Sequence, residues 1–129
     1  MSKLDDFLGL TDVSEVRKVI PINVGGTVLE ITIKPVSEEE HSEFQKRCQV
    51  FNKNKMTFDT AKYNNLILES CIVEPNFSSE EFLRKAKCQT ASEFINKKFP
   101  AGVVSDIAIE IQKLSGFDSY EMEVENAKN

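Results

Sequence analysis

Within Val16–Pro35, Ile20, Ile22 and Val24 and then Leu29, Ile31 and Ile33 recur at every second position, the period of a strand with one buried face. Gly25-Gly26 supplies a two-residue hairpin turn at the centre, which pairs Val24 with Thr27, Ile22 with Leu29, Ile20 with Ile31 and Lys18 with Ile33. That register gathers Ile20, Ile22, Leu29, Ile31 and Ile33 on one face and leaves Arg17, Asn23, Glu30, Thr32 and Lys34 on the other. Pro21 cannot donate to a ladder, so its strand is expected at an edge. Two strands alone are barely stable, so the apolar face must lie on helices or on strands from a second copy. No other stretch reads as strand.

From Ser37 onward the period lengthens to that of a helix. Ser37-Glu38-Glu39-Glu40 is a capping box, and the helix it opens carries His41, Phe44, Cys48 and Phe51 along one face, with Val50 on an otherwise polar one. Asn52–Thr57 reads as a polar loop, and Phe58 is placed to staple onto Tyr63. Asp59–Val73 is apolar nearly all round, with Tyr63, Ile67 and Cys71 on one side, Ala61, Leu68 and Ile72 on another and Leu66 and Val73 on a third. A helix of that kind is covered on several faces, so it is expected at the centre of the core. Pro75 forces a turn, because the residue before proline is pushed out of helical geometry. Ser78-Ser79-Glu80-Glu81 and Thr90-Ala91-Ser92-Glu93 repeat the capping box, opening short helices with Phe82, Leu83 and Ala86, then Phe94, Ile95 and Phe99, turned inward. Pro100 suits the first turn of a last helix at about Ala101–Ser115, and Gly116 suits the left-handed position that closes it. There Val103, Val104, Ile107, Ala108, Ile111 and Leu114 form the apolar face, while Ile109 stands alone among polar neighbours.

The expected fold is therefore α+β: an N-terminal antiparallel hairpin at about 16–35, packed on about five helices with the central one at about 60–73. A chain of 129 residues has the size of one domain with one core. Leu4, Phe7, Leu8 and Leu10 form a short apolar group that either docks as a helical turn or frays, and the two ends, 1–15 and 118–129, are expected to be flexible.

Charge and cysteine usage narrow the classes of function. The net charge is −5, concentrated at the ends: Asp5, Asp6, Asp12 and Glu15 outweigh Lys3, and Asp118, Glu121, Glu123 and Glu125 outweigh Lys128. Acidic ends on a nearly neutral body repel phosphate backbones, so nucleic acid is not expected as a partner. Met1–Asp12 lacks the basic start and apolar run of an export signal, and no apolar run reaches membrane-spanning length, so a soluble chain with no membrane partner is expected. Cys48, Cys71 and Cys88 have no CxxC pairing and only His41 for company, which fits buried thiols in a reducing cytoplasm and neither a metal site nor a disulfide framework. No cofactor is implied: Asn23-Val24-Gly25-Gly26-Thr27 opens no helix and no lysine follows at P-loop spacing. His41 has no nucleophile or paired acid in view, and Glu38, Glu39 and Glu40 read as a solvated helix start, so no catalytic or metal-ligating residue is assigned and no enzyme is expected. Arg84, Lys85, Lys87, Lys97 and Lys98 form the only basic grouping of any size. Ile109 and Val50, apolar on polar helical faces, are the candidate partner contacts.

One resemblance covers essentially the whole chain. Val73-Glu74-Pro75-Asn76-Phe77, the Thr90-Ala91-Ser92-Glu93-Phe94 helix start, the Phe99-Pro100-Ala101-Gly102 link and the closing Leu114-Ser115-Gly116-Phe117 resemble, in order and spacing, the XkdN-like phage tail assembly chaperones. The hairpin leading through Ile33-Lys34-Pro35-Val36-Ser37-Glu38-Glu39-Glu40 fits as well; Ser92 stands where the family pattern leads one to expect proline. The resemblance implies a non-enzymatic protein of the bacterial host cytoplasm, absent from the finished virion. It would bind the phage tape measure protein, keep it soluble and help recruit tail tube subunits, with self-association as a further expectation. The alternative from another class is a small adaptor or regulatory module acting through its hairpin edge.

Overall fold

The computed structural model describes residues 2–117, so the expectation of a flexible 118–129 lies outside the described residues. The hairpin forms in the expected register: β1 (Lys18–Val24) pairs with β2 (Thr27–Ile33), with Val24 opposite Thr27 and Lys18 opposite Ile33. Gly25 and Gly26 take positive φ of 61° and 89°, which only glycine adopts freely, and the Gly26 N–H donates to Asn23 Oδ1 at 2.9 Å. Ile20, Ile22, Ile31 and Ile33 are buried, and β1 packs on the last helix. Leu29 shares their face but is 49 % exposed. β1 is one of the two outer strands of the sheet. With Val24 and Thr27 closing the turn, ladder bonds fall on the even-numbered residues of β1, so Pro21 lies where its missing N–H faces outward and blunts that edge.

The third strand, β5 (Ile72–Glu74), is a correction to the sequence reading, in which the central helix ran on through Val73. Thr32 pairs with Glu74 and Ile33 with Ile72, and the Lys34 N–H donates to the Cys71 carbonyl at 2.9 Å. Two effects convert these residues. Pro75 drives Glu74 into extended geometry, and the free side of β2 offers the backbone a second ladder.

A second correction concerns residues 49–58. The helix opened by Ser37, α2 (Glu38–Cys48), stops at Cys48, and the expected polar loop is a second hairpin: β3 (Gln49–Asn52) pairs with β4 (Lys55–Phe58). Val50 and Phe51 are therefore strand residues and not helical ones. Lys53 and Asn54 make the turn at positive φ of 50° and 66°, the conformation that glycine usually supplies.

The central helix, α3 (Thr60–Cys71), is covered as its apolar surround requires, packing on α2 and on the last two helices of the described residues, although Ala61 is exposed. Asp59 caps it by accepting the Lys62 N–H at 3.0 Å, and Phe58 lies 5.7 Å from Tyr63 as a hydrophobic staple. Three further helices follow: α4 (Glu80–Ala86), α5 (Ala91–Lys98) and α6 (Ala101–Leu114). With α1 (Lys3–Leu8) the described residues hold six helices, one more than expected. The cap of α4 is Ser79, one residue later than the sequence suggested, which takes Glu81 out of capping-box reach. Pro100 is likewise the residue before the first turn of α6 and not within it. α6 closes as expected: Gly116 has φ 97°, its N–H reaches the Lys113 carbonyl, and the Phe117 N–H reaches that of Gln112.

Candidate functional site

The start of α2, the end of α6 and the segment before β1 enclose a cleft of about 300 Å³, lined by Val13, Val16, Val36, His41, Leu114 and Phe117 among others. Ser37, His41 and Ser115 at its edge each help to hold an element in place. The Ser37 hydroxyl accepts the Glu40 N–H and Glu40 accepts the Ser37 N–H, completing the capping box. The Ser115 hydroxyl donates to the Ile111 carbonyl and accepts the Val36 N–H, tying the end of α6 to the entry of α2. His41 Nδ1 lies 2.5 Å from the Tyr63 hydroxyl, and its ring centroid is 5.1 Å from that of Phe117. His41 thus joins α2 to α3 and α6 as a packed polar contact.

Behind the capping box the Ser70 hydroxyl donates to Glu40 Oε2 at 2.5 Å. Burial works to raise the Glu40 carboxyl, yet the hydrogen bonds from Ser70 and Ser37, with Lys34 nearby, outweigh it and hold the group below its ordinary 4.5. A carboxyl lowered on folding stabilises the fold above its unfolded value, and that contribution is lost as pH falls through the lower folded value. Glu40→Gln is therefore expected to cost about 1 kcal/mol at pH 7, since the carboxylate is partly exposed and the amide keeps some of its bonds. The difference from the parent protein should shrink below pH 4.5. Urea unfolding at pH 7 and pH 3.5 checks this, and a difference unchanged between them would show that the charge of Glu40 is not what matters. Behind Glu40, burial and then that carboxylate's charge push the Cys71 thiol up to about 12, and burial raises Cys48 too. All three cysteines are buried and free, so Cys71 and Cys48 lack the thiolate that nucleophilic chemistry needs.

Most of the exposed large apolar residues fall into three groups, with Val13 and Leu29 outside them. α1 carries Leu4, Phe7 and Leu8, each more than two-thirds exposed, and Leu10 follows them into solvent. The short apolar group at the start is thus helical and does not dock on the core. The outer face of the hairpin exposes Val19 and Val28, and the β3–β4 hairpin exposes Val50, Phe51 and Met56. The two residues proposed from sequence are separated: Val50 is on β3, whereas Ile109 is half-buried on α6, the helix that packs on α3 and β1. The sequence places Phe51 on a helical face with His41, Phe44 and Cys48, and Met56 in a polar loop. The signal that could have found them is the pair of β-prone runs Val50-Phe51 and Met56-Thr57-Phe58 around Asn-Lys-Asn, in which asparagine tolerates the left-handed turn.

Basic residues also regroup. In the grouping read from sequence, Lys85 pairs with Glu81 at 3.1 Å, Lys87 closes α4 at φ 58°, and Lys97 and Lys98 complement the last turn of α5. A second group, not evident in the sequence, forms around the β3–β4 hairpin: Lys46, Arg47, Lys53, Lys55 and Lys62, all exposed, with Asp59 the one acid between residues 45 and 62. Among the described residues no three His, Cys, Asp or Glu side chains cluster as metal ligands, and no helix is long and apolar enough to cross a membrane.

A model of one protein family, described as phage XkdN-like tail assembly chaperone protein, matches residues 4–128 of the chain. No curated protein and no solved structure matches.

Proposed function

This chain belongs to the phage XkdN-like tail assembly chaperone family, and on that footing we propose that it binds the tape measure protein, keeps it soluble and helps recruit tail tube subunits. It acts in the cytoplasm of the bacterial host, is left out of the virion, and self-associates or arrays along its client. The observation that supports a binding role is the amount of large apolar side chain held in water: Leu4, Phe7, Leu8, Phe51 and Met56 are each more than 60 % exposed. Isolated exposed aliphatics are ordinary, but apolar residues grouped on one short element mark a surface that another molecule covers. Several weak contacts of this kind, repeated by many copies along one extended helical client, add up to stable coating without any single deep site.

The test is co-expression with the tape measure protein of the same tail-gene cluster, followed by copurification and a solubility comparison. Soluble tape measure in a stoichiometric complex supports the reading, and insoluble tape measure beside a free chaperone removes it. Ile109→Glu is expected to leave cooperative unfolding in place, because the side chain is only half-buried, and to reduce copurification severalfold. Undiminished copurification would remove Ile109 from the contact surface.

A further inference from the structure

The β3–β4 hairpin is an arm inserted between two helices that already pack on one another, α2 and α3. Its base is fixed: Cys48 is fully buried, the Asp59 N–H donates to the Cys48 carbonyl at 2.8 Å, and Phe58 rests on Tyr63. Beyond the base every residue from Gln49 to Thr57 is exposed, so the ribbon stands about 15 Å into solvent, five residues at strand rise. A two-stranded ribbon with no third layer gains little from its own contacts. An arm kept in this form is suited to contact something else.

Its side chains say what. Phe51 and Met56 are directly opposite in the register and are 69 % and 61 % exposed. With Asn52 and Lys55 closing the turn, they occupy a pair without ladder bonds, where side chains approach most closely. Phe58 lies on the same face, so an apolar strip runs from the core out along the arm. Lys53 and Lys55 lie at the tip, Lys55 on the opposite face of the ribbon from Met56, and Lys46, Arg47 and Lys62 lie near the base. Among the described residues none of these five has an ion-pair partner, whereas Lys18, Lys85 and Lys113 are each paired with a glutamate. Asp59, the one acid between residues 45 and 62, is already held as the cap of α3. In a chain of net charge −5 this is a local excess of positive charge around exposed apolar surface. The other apolar element left in water, α1, lies among Asp5, Asp6, Asp12 and Glu15 and has the opposite character.

We propose that the β3–β4 arm docks an amphipathic helix of the client whose apolar stripe is flanked by Asp and Glu. Two rows of side chains about 5 Å apart on the ribbon face match the spacing of helical residues at i and i+4, and unpaired cations at both ends of the strip favour carboxylates beside it. The four-residue strands offer too few outward amides for an added strand to gain much. The acidic ends of the chain oppose a nucleic-acid occupant, although exposed Phe51 among lysines is a feature such an occupant shares. The proposal rests on the chaperone reading for the client's identity but not for its chemistry, so the two can fail separately.

The experiment uses the full chain. In co-expression with tape measure protein, Phe51→Glu with Met56→Glu, and separately Lys53→Glu with Lys55→Glu, are expected to lower copurified tape measure about tenfold while thermal unfolding stays near that of the parent. Lys97→Glu with Lys98→Glu, an equal change of net charge on α5, should have no effect. Arm variants that retain all of the tape measure overturn the proposal and leave the chaperone reading standing. The second measurement does not depend on tape measure: amide resonances of residues 49–58 are followed during titration with a designed helical peptide bearing a Leu stripe flanked by Glu, its Lys-flanked counterpart, and a single-stranded oligonucleotide. Shifts with the Glu-flanked peptide alone support the proposal. Shifts with both peptides, with neither, or with the oligonucleotide overturn it. So do shifts that depend on the chain's own concentration, which would assign the arm to a second copy.

Discussion

Ile67→Ala is expected to lower the free energy of unfolding by about 2–5 kcal/mol, the range for removing a fully buried branched side chain that its surroundings cannot close around. Ile67 is fully buried on α3, the helix with neighbours on three other helices. Two of those neighbours are pinned at one end each: α2 at its start by its capping box and the His41–Tyr63 contact, α6 at its end by Ser115 and the Gly116 closure. The walls of the cavity would therefore relax little, which places the cost in the upper half of the range. A domain of this size has about 5–15 kcal/mol in all, so the variant should unfold at a clearly lower urea midpoint with an unchanged slope. A loss under 1 kcal/mol would mean that α3 is not the packed centre.

Phe77→Ala is expected to cost about 3–5 kcal/mol. Phe77 follows Pro75 and lies within 5.2, 5.0 and 6.0 Å, centroid to centroid, of Phe82, Phe94 and Phe99. These four rings join α4 and α5 to the rest of the core, and each ring pair adds about 0.5–1.5 kcal/mol beyond the area it buries. Phe51→Ala provides the contrast, because a ring 69 % exposed on the arm should change stability by no more than about 0.5 kcal/mol. The same substitution at two phenylalanines thus separates a core contact from a surface contact. Equal losses at the two sites would show that the arm is packed in solution. Unfolding curves for both variants, recorded by circular dichroism, check the pair.

These expectations also show where sequence reasoning was sufficient. The first hairpin was legible to the register, because Gly25-Gly26 fixes the turn and the alternation of Ile20, Ile22, Ile31 and Ile33 fixes the face. The starts of α2, α3 and α5 were legible to the residue, because Ser37, Asp59 and Thr90 each satisfy amides two or three positions away. The family was legible as well: the short motifs that suggested it, Pro75-Asn76-Phe77 and Phe99-Pro100 among them, are the turns and aromatic contacts that hold α4, α5 and α6 in place. Of the candidate contacts, Val50 falls on the arm, yet the sequence reading puts Phe51 on a helical face and Met56 in a polar loop. A run such as Val50-Phe51-Asn52 continues a helical face as readily as it makes a strand, and only its pairing with Lys55–Met56–Thr57 decides between them.

By itself, then, the sequence determined what is local: caps, turns, the period of each face and, through their order along the chain, the family to which the chain belongs. The tertiary structure decided what depends on a distant partner. Ile72–Glu74 became strand because the far side of β2 was open to it. Leu4, Phe7 and Leu8 remained in water because α1 does not dock, and the cations of the arm were left without partners while other lysines found glutamates on neighbouring turns and elements. Hydrogen-bond demand and helical period are properties of a few consecutive residues, whereas exposure and unpaired charge exist only once every other element has taken its place.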